Sequence, residues 1–461
     1  MPVAPLLSRI ARPTRRGTAL IVVVIAAVLM LTLIFLVPTV LNVDRYRPNV
    51  ISYLQDKTGK QVEIGRLALT FFPLTIHIDN LGVKNPPIFP AGYVIQVARI
   101  NVELSLGALL HRQVVIKSLV LEDPVLNLTS DPDGPWNFEN PQSKISNALS
   151  LGPISNVKLR RGVVIASNLL PSDKAGFIFF EAHEITCELE QVNLSGIINP
   201  SSSSMDGQGS LKAGLLRFGA VEAKNLRSKL RLESRHVFFT DIKAEIYGGS
   251  AVGGLSFDLS QKNTSFKTDA RLSRINLAQL LAAFPNGGGK MTGKMEGDLK
   301  LGGEIEHSIR PLAGIHGTGH LTVRNGQVPS LKLNANLMKL AHFNDLGPAK
   351  KDPSSFNVIT ADLELAHQRI SSKVIDLDGY GVDVDGSGSV SVSGSDELNY
   401  RGLAEITTEE SFITNTVARL SGATLKDGKL QFPFRIGGTI DSPVFSKGKG
   451  DKDVDAPQNH P

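Results

Sequence analysis

The chain has 461 residues, 41% of them hydrophobic, with 43 Gly and 25 Pro; that is too long for one compact core and suits two or three packed units or one extended one. The formal net charge is +5, but Arg9, Arg12, Arg15 and Arg16 supply four of those charges ahead of any acidic residue. The rest is therefore close to neutral, which argues against a nucleic-acid partner, since that needs a basic face to neutralise phosphates.

Ala19 to Val37 is a run of 19 residues without a charge, Thr32 being its one polar member. As a helix it spans roughly 28 Å, close to the hydrocarbon thickness of a bilayer. The four arginines precede it, so the positive-inside rule predicts a cytoplasmic N-terminus and everything after Pro38 across the membrane. The run exceeds a cleavable h-region, and Leu36-Val37-Pro38-Thr39 offers no small-x-small site, so it reads as an uncleaved signal anchor. A helix is expected over Asp44–Lys57, ending before Gly59, with Val50, Ile51 and Leu54 on one face.

Beyond it, strict alternation dominates. In Arg99 to Leu106 every second residue is apolar, and the pattern recurs at Leu74–Ile78, Ile185–Leu189, Leu230–Leu232, Phe266–Leu272, Met295–Leu301, Ala361–Leu365, Val382–Val384, Val390–Val392 and Phe432–Ile436. A period of two predicts strands with one apolar and one wet face, the mark of antiparallel sheet. Asn325-Gly326, Asp378-Gly379, Asp385-Gly386 and Asp427-Gly428 are the expected turns. Asp131–Pro153 and Asn199–Ser204 are polar connections, and the lysine- and aspartate-rich stretch from Ser446 is an expected disordered tail. Further helices are expected at Ile275–Phe284, capped by Asn276, and at Leu331–Phe343 and Glu409–Leu420. Tyr247-Gly248 and Tyr380-Gly381 open similar strand-flanked stretches, a weak internal repeat.

Four short helices cannot cover the apolar face of twenty or more strands. A second sheet, curling of the sheet on itself, or something that is not protein must bury it. A two-sheet sandwich and a curled sheet holding acyl chains both satisfy that requirement.

Catalytic signatures are sparse. Gly288 to Lys294 has P-loop spacing, but Met295 replaces the required Ser/Thr and a strand pattern follows where a helix is needed. Asp383-x-Asp385-x-Ser387-Gly388 resembles the start of a calcium loop, yet Gly394 stands where the bidentate Glu belongs. His316 and His320 would sit about 13 Å apart on a strand, too far for one metal ion. Cys187 is the only cysteine, so no intramolecular disulfide forms. Three N-x-[ST] triplets, at Asn127, Asn193 and Asn263, occur at roughly chance frequency. A non-enzymatic role without a cofactor is expected.

Several segments carry a resemblance. Leu54-Gln55-Asp56-Lys57-Thr58-Gly59-Lys60-Gln61-Val62-Glu63-Ile64 after the anchor resembles the opening of the AsmA-like proteins, with Lys60 where that pattern usually has Arg. Asn85-Pro86-Pro87-Ile88-Phe89, Leu121-Glu122-Asp123-Pro124 and Gly134-Pro135-Trp136-Asn137-Phe138 continue it. Ile315 to Gly326 is similar to a later glycine-punctuated strand of the family, and Phe432 to Phe445 to its closing motif. The resemblance covers most of residues 19 to 445. It implies a mainly β fold with an N-terminal transmembrane helix and an extended, curled antiparallel β-groove similar to chorein-type bridge-like lipid transfer proteins. It also implies a Gram-negative inner membrane, a periplasmic body, phospholipid cargo, and envelope or outer-membrane protein partners in outer-membrane biogenesis. The corresponding division is 1–18 basic cytoplasmic, 19–37 anchor, 38–150 N-terminal β region, 151–445 groove and C-terminal region, and 446–461 tail. Roughly 25 strands would make a rod on the order of 100 Å long. The candidate lining residues are Ile100, Val102, Leu104, Leu106, Leu272, Leu299, Leu301, Phe432 and Phe434. The competing reading is a non-catalytic envelope scaffold with a dry core.

Overall fold

The computed structural model describes residues 42–131, 136–138, 153–170, 173–193, 205–260, 264–284, 289–305, 314–329, 332, 336, 355–380, 382–391, 397–407, 423–427, 429–439 and 442–448. The anchor, the polar tail and the helices expected at 331–343 and 409–420 lie largely or wholly outside them. Among the described residues no helix is long and apolar enough to cross a membrane.

A 3-10 turn at Val43–Tyr46 runs into α1 (Arg47–Thr58), where Pro48 suits the first turn and Gly59 closes the end at φ 64°, its N–H bonding the Gln55 carbonyl at 2.8 Å. Twenty strands follow in one sheet. They are β1 (Val62–Phe71), β2 (Leu74–Lys84), β3 (Tyr93–Leu104), β4 (Ile116–Ser130), β5 (Ile154–Leu170), β6 (Asp173–Asn193) and β7 (Asp206–Phe218). Next come β8 (Val221–Glu233), β9 (His236–Ile246), β10 (Gly249–Asp258), β11 (Thr264–Asn276), β12 (Lys294–Ile305) and β13 (His316–Gln327). The last are β14 (Ser355–Ala366), β15 (Arg369–Gly379), β16 (Val382–Ser391), β17 (Leu398–Thr407), β18 (Thr424–Lys426), β19 (Lys429–Gly438) and β20 (Pro443–Lys447). Among the fully described elements two short helices interrupt them, α2 (Leu106–Leu110) and α3 (Leu277–Ala282).

Each strand pairs with its sequence neighbour from β1 to β17, and β17 then pairs with β19. Among these pairings only that of β4 with β5 is parallel. There Asp123 and Arg161 face each other, the guanidinium donating to both carboxylate oxygens at 2.6 and 2.8 Å. The arginine holds the Asp123 carboxyl below the usual carboxylate range. Among the described residues β1 pairs only with β2, while β18 and β20 share the far side of β19. Among the described residues the sheet is therefore open, and no second sheet packs on it. At about 4.8 Å per strand its path is on the order of 90 Å.

Curling has a visible local cause. Asn80, Asp123, Arg161, Glu184 and Asn225 all adopt φ between 51° and 55° inside β2, β4, β5, β6 and β8. The registers place them near one level of the sheet, where pairing skips or shifts. A bulge bends its strand and raises its twist, so bulges aligned across successive strands form a crease.

Two expected turns are corrected. Asn325-Gly326 lies within β13 and Asp385-Gly386 within β16. Asn325 supplies a left-handed bulge at φ 51° instead, and Gly326 is needed because a Cβ there would collide with the Thr292 carbonyl. Asp427 does turn, at φ 51°, between β18 and β19. The expected helix at Ile275–Phe284 shortens to α3, with Asn276 Oδ1 accepting from the Gln279 N–H at 3.3 Å.

Candidate functional site

Directly paired residues on neighbouring strands point to the same face, so the registers trace rows across the sheet. One row begins Leu69, Ile76, Val102, Leu119, Val157 and Leu189 on β1 to β6. It continues through Gly209, Leu230, Phe239, Leu255 and Thr268 on β7 to β11. Leu301, Gly317, Leu365, Ile370, Val390 and Leu398 complete it on β12 to β17. Thr268 is its single polar side chain. Two nominees from distant segments, Val102 and Leu301, therefore share one continuous apolar line.

The other nominees fall on the same face. Ile100 stands between Ile78 and Leu121, Leu104 opposite Ile116, and Leu299 between Ala270 and Gly319. Leu272 faces Gly297 in a row that runs through Leu321, Ala361, Ile375, Gly386 and Gly402 to Phe434. Leu106 does not belong to it. The strand ends at Leu104, Ser105 caps α2 by accepting from the Ala108 N–H at 3.3 Å, and Leu106 opens that helix exposed.

Burial divides the face into covered and open parts. Val50, Ile51 and Leu54 of α1 close it over Val62, Ile64 and Leu67. α3 does so through Leu277 over Ile275, Met295, Val323 and Phe356. At the C-terminal end Phe432 (5% exposed) and Phe434 (1%) are closed in by Val384, Leu430, Ile436 and Tyr400. Phe434 lies over Gly402 and stacks with Phe445 at 6.4 Å. These two nominees are core, because small residues opposite them let their own rings fill the trough. Between those caps Val102, Leu119, Val157, Leu189, Leu255, Leu301 and Leu365 stay half-buried.

A cleft of about 830 Å³ opens on this stretch, lined by Phe239, Leu255, Phe266, Thr268 and Leu301 among others. That volume lies within the roughly 300–1,000 Å³ of ligand pockets. Thr268 Oγ1 donates to the Gly254 carbonyl at 2.8 Å, which satisfies its hydroxyl. Sequence alternation missed Phe239 because Phe238 adjoins it and breaks the period; the pairing with Leu230 and Leu255 reveals its face.

The opposite face is wet and charged. Cross-strand ion pairs join Arg99 to Asp79, Lys158 to Glu188, Arg217 to Glu181 and Glu222, and Arg271 to Asp298, and a hydrogen bond joins His320 to Asp362. Asp385 faces Asp376; partial burial first, then the neighbouring carboxylates, push its pKa up. Asp383 and Asp385 are thus solvent-side acids on a strand, and the P-loop-like stretch leads into β12 and not into a helix. Among the described residues no group of three or more His, Cys, Asp or Glu is arranged to hold a metal ion.

The sequence profile of one family matches residues 14–168 and 189–374, the greater part of the chain. The chain belongs to the AsmA family. No curated protein matches it. Within this AsmA family member the motif segments at 58–60, 85–89 and 136–138 converge. Asn137, 0% exposed, donates to the Asn85 side chain at 3.0 Å and the Asn127 carbonyl at 2.8 Å, and accepts from the Thr129 N–H at 3.0 Å. Lys60 Nζ donates to the Asn137 carbonyl at 2.8 Å. The motif is thus a clasp that holds the start of β1 against β4.

Cys187 extends the row of Ile100, through Leu121 and Leu159, onto β6. Burial raises its pKa to about 11. At pH 8 a maleimide is expected to modify it roughly a hundredfold more slowly than a free cysteine, because thiolate is scarce, with the rate recovering above about pH 10. Modification as fast as that of the urea-unfolded chain would remove Cys187 from this face.

Proposed function

We propose that this AsmA family member is a membrane-anchored periplasmic lipid-binding protein, with its N-terminus cytoplasmic and acyl chains lying along its apolar sheet face. In this reading it supports phospholipid movement and outer-membrane biogenesis without a catalytic step. The observation that carries the reading is the row from β1 to β17, apolar but for Thr268 and left half-open, with no second sheet over it among the described residues. Water passage costs an acyl chain about 0.8 kcal/mol per methylene. Moving from bilayer to groove exchanges one apolar surroundings for another, so the step is nearly neutral and conduction runs either way. Direction then comes from partners, and a path on the order of 90 Å suits a protein that hands lipid onward.

A photo-crosslinking residue at Val102, with Glu103 on the opposite face as control, tests this in the native membrane. Mass spectrometry is expected to find phospholipid attached at Val102 and absent at Glu103. Adducts of Val102 with its own chain alone would give a dry core and favour the envelope scaffold.

A further inference from the structure

The end of the sheet carrying the β1–β2 and β3–β4 connections exposes a group of large apolar residues. Phe72 is 56% exposed at the first connection; in the second, Leu110 is 84% and Val114 73% exposed, with Leu106, Leu109 and Val115 exposed beside them. The registers make the two connections neighbours, since Phe71 pairs with Leu74 and Thr75 with Glu103. α2 is fixed in place, with the Ser105 N–H on the Val115 carbonyl at 2.9 Å and the Gln113 N–H on the Ala108 carbonyl at 2.9 Å. No acidic residue occurs from Ser105 to Leu121, whereas His111, Arg112 and Lys117 are present and exposed. Large exposed apolar side chains beside the cationic Arg112 and Lys117 suit an interface between hydrocarbon and anionic headgroups.

Chain direction supplies the second argument. Asp44 Oδ1 accepts from the Leu67 N–H at 2.9 Å, and Arg47 donates to the Gly65 carbonyl, while α1 ends beside the start of β1. α1 therefore runs antiparallel to β1, and the chain reaches it from the side of Phe72, Asp44 lying level with Leu67 in the middle of β1. Exposed Tyr46, with the Arg45 guanidinium 4.9 Å above its ring, sits at that entry. The uncharged run at 19–37 is only a few residues upstream. The apolar sheet face also reaches this end, through Phe71, Leu74, Leu104 and Ile116.

We propose that this end, Phe72 together with the α2 excursion, seats in the surface of an anionic phospholipid bilayer, so that the apolar face opens directly onto acyl chains. The inference builds on the lipid-binding reading and adds where the cargo enters. Its test uses the full chain in nanodiscs of phosphatidylethanolamine and phosphatidylglycerol. An environment-sensitive fluorophore is attached at Leu110→Cys or Val114→Cys in a Cys187→Ser background. Ile88→Cys, at the opposite end of the sheet and 66% exposed, is the control. Lipid-borne nitroxide quenchers are expected to remove most of the emission at positions 110 and 114 and little at 88. No quenching at 110 and 114, or equal quenching at all three, overturns end-on seating. Lipid cross-linking at Leu301 is read on the same samples: adducts there without quenching at the tip would leave the groove standing and the tip refuted. Quenching at the tip without adducts would do the reverse.

Discussion

Asn137→Ala is expected to loosen the N-terminal end of the sheet by about 3 kcal/mol, because removing one amide strands the Thr129 N–H, the Asn127 carbonyl and the Asn85 side chain together. The measurement is amide hydrogen exchange on the full-length protein in detergent. Protection in β1 and β4 should fall roughly a hundredfold, about 1.4 kcal/mol per tenfold, while β16 to β19 keep theirs. A change below about threefold in β4 would mean that water replaces the amide at little cost and that the clasp is not structural. Lys60, partly buried with its pKa lowered by that burial, contributes to the same junction. Lys60→Met should give a smaller loss, since the Asn137 side-chain bonds survive.

Phe434→Ala, at the other end, is expected to cost about 3–5 kcal/mol. The ring is fully enclosed, sits 5.9 Å from Tyr400 and 6.4 Å from Phe445, and lies against Gly402. Its removal leaves a hole the flat neighbouring glycine cannot fill. Phe434→Leu should cost less than half as much, since most of the volume is kept. Faster exchange confined to β16, β17 and β19 is the expected readout. A global loss of protection, reaching β1, would show that the sheet melts as one unit. A loss under 1 kcal/mol would place Phe434 among the open lining positions after all.

Much of this fold was legible. Period-two alternation located β2, β3, β6, β8, β11, β12, β14, β16 and β19, because each strand has one dry and one wet face. It also grouped Val102 with Leu301, although only the registers show them to be in one row. Turn chemistry held at Asp427 but misled at Asn325-Gly326 and Asp385-Gly386. The hairpins at Ser234-Arg235 (φ 47° and 68°) and His367-Gln368 (φ 50° and 56°) use left-handed pairs without glycine. Asn325-Gly326 meanwhile serves a bulge, since the same freedom at positive φ suits either role. The parallel step between β4 and β5 leaves no trace in side-chain pattern, because a half-buried strand looks alike in either direction. Whether an alternating residue is open or enclosed was equally hidden. Phe434 and Leu301 alternate in the same way, and only the caps around them tell them apart.

Among the described residues nearly every strand pairs only with its two sequence neighbours, and that arrangement bears on how such a chain could change in length. Adding or deleting one hairpin shifts everything downstream by about 10 Å yet returns the chain with the same face inward, so the apolar row closes up across the joint. Contacts would remain local, as in linear repeat arrays where stability is a sum of units and interfaces. Folding could then begin at several hairpins and zip outward, with the β4–β5 junction, which no tight turn can make, as the slow joint. Relatives with fewer or more hairpins would be built to the same rule, and reach becomes a property that duplication can tune without redesigning the apolar face.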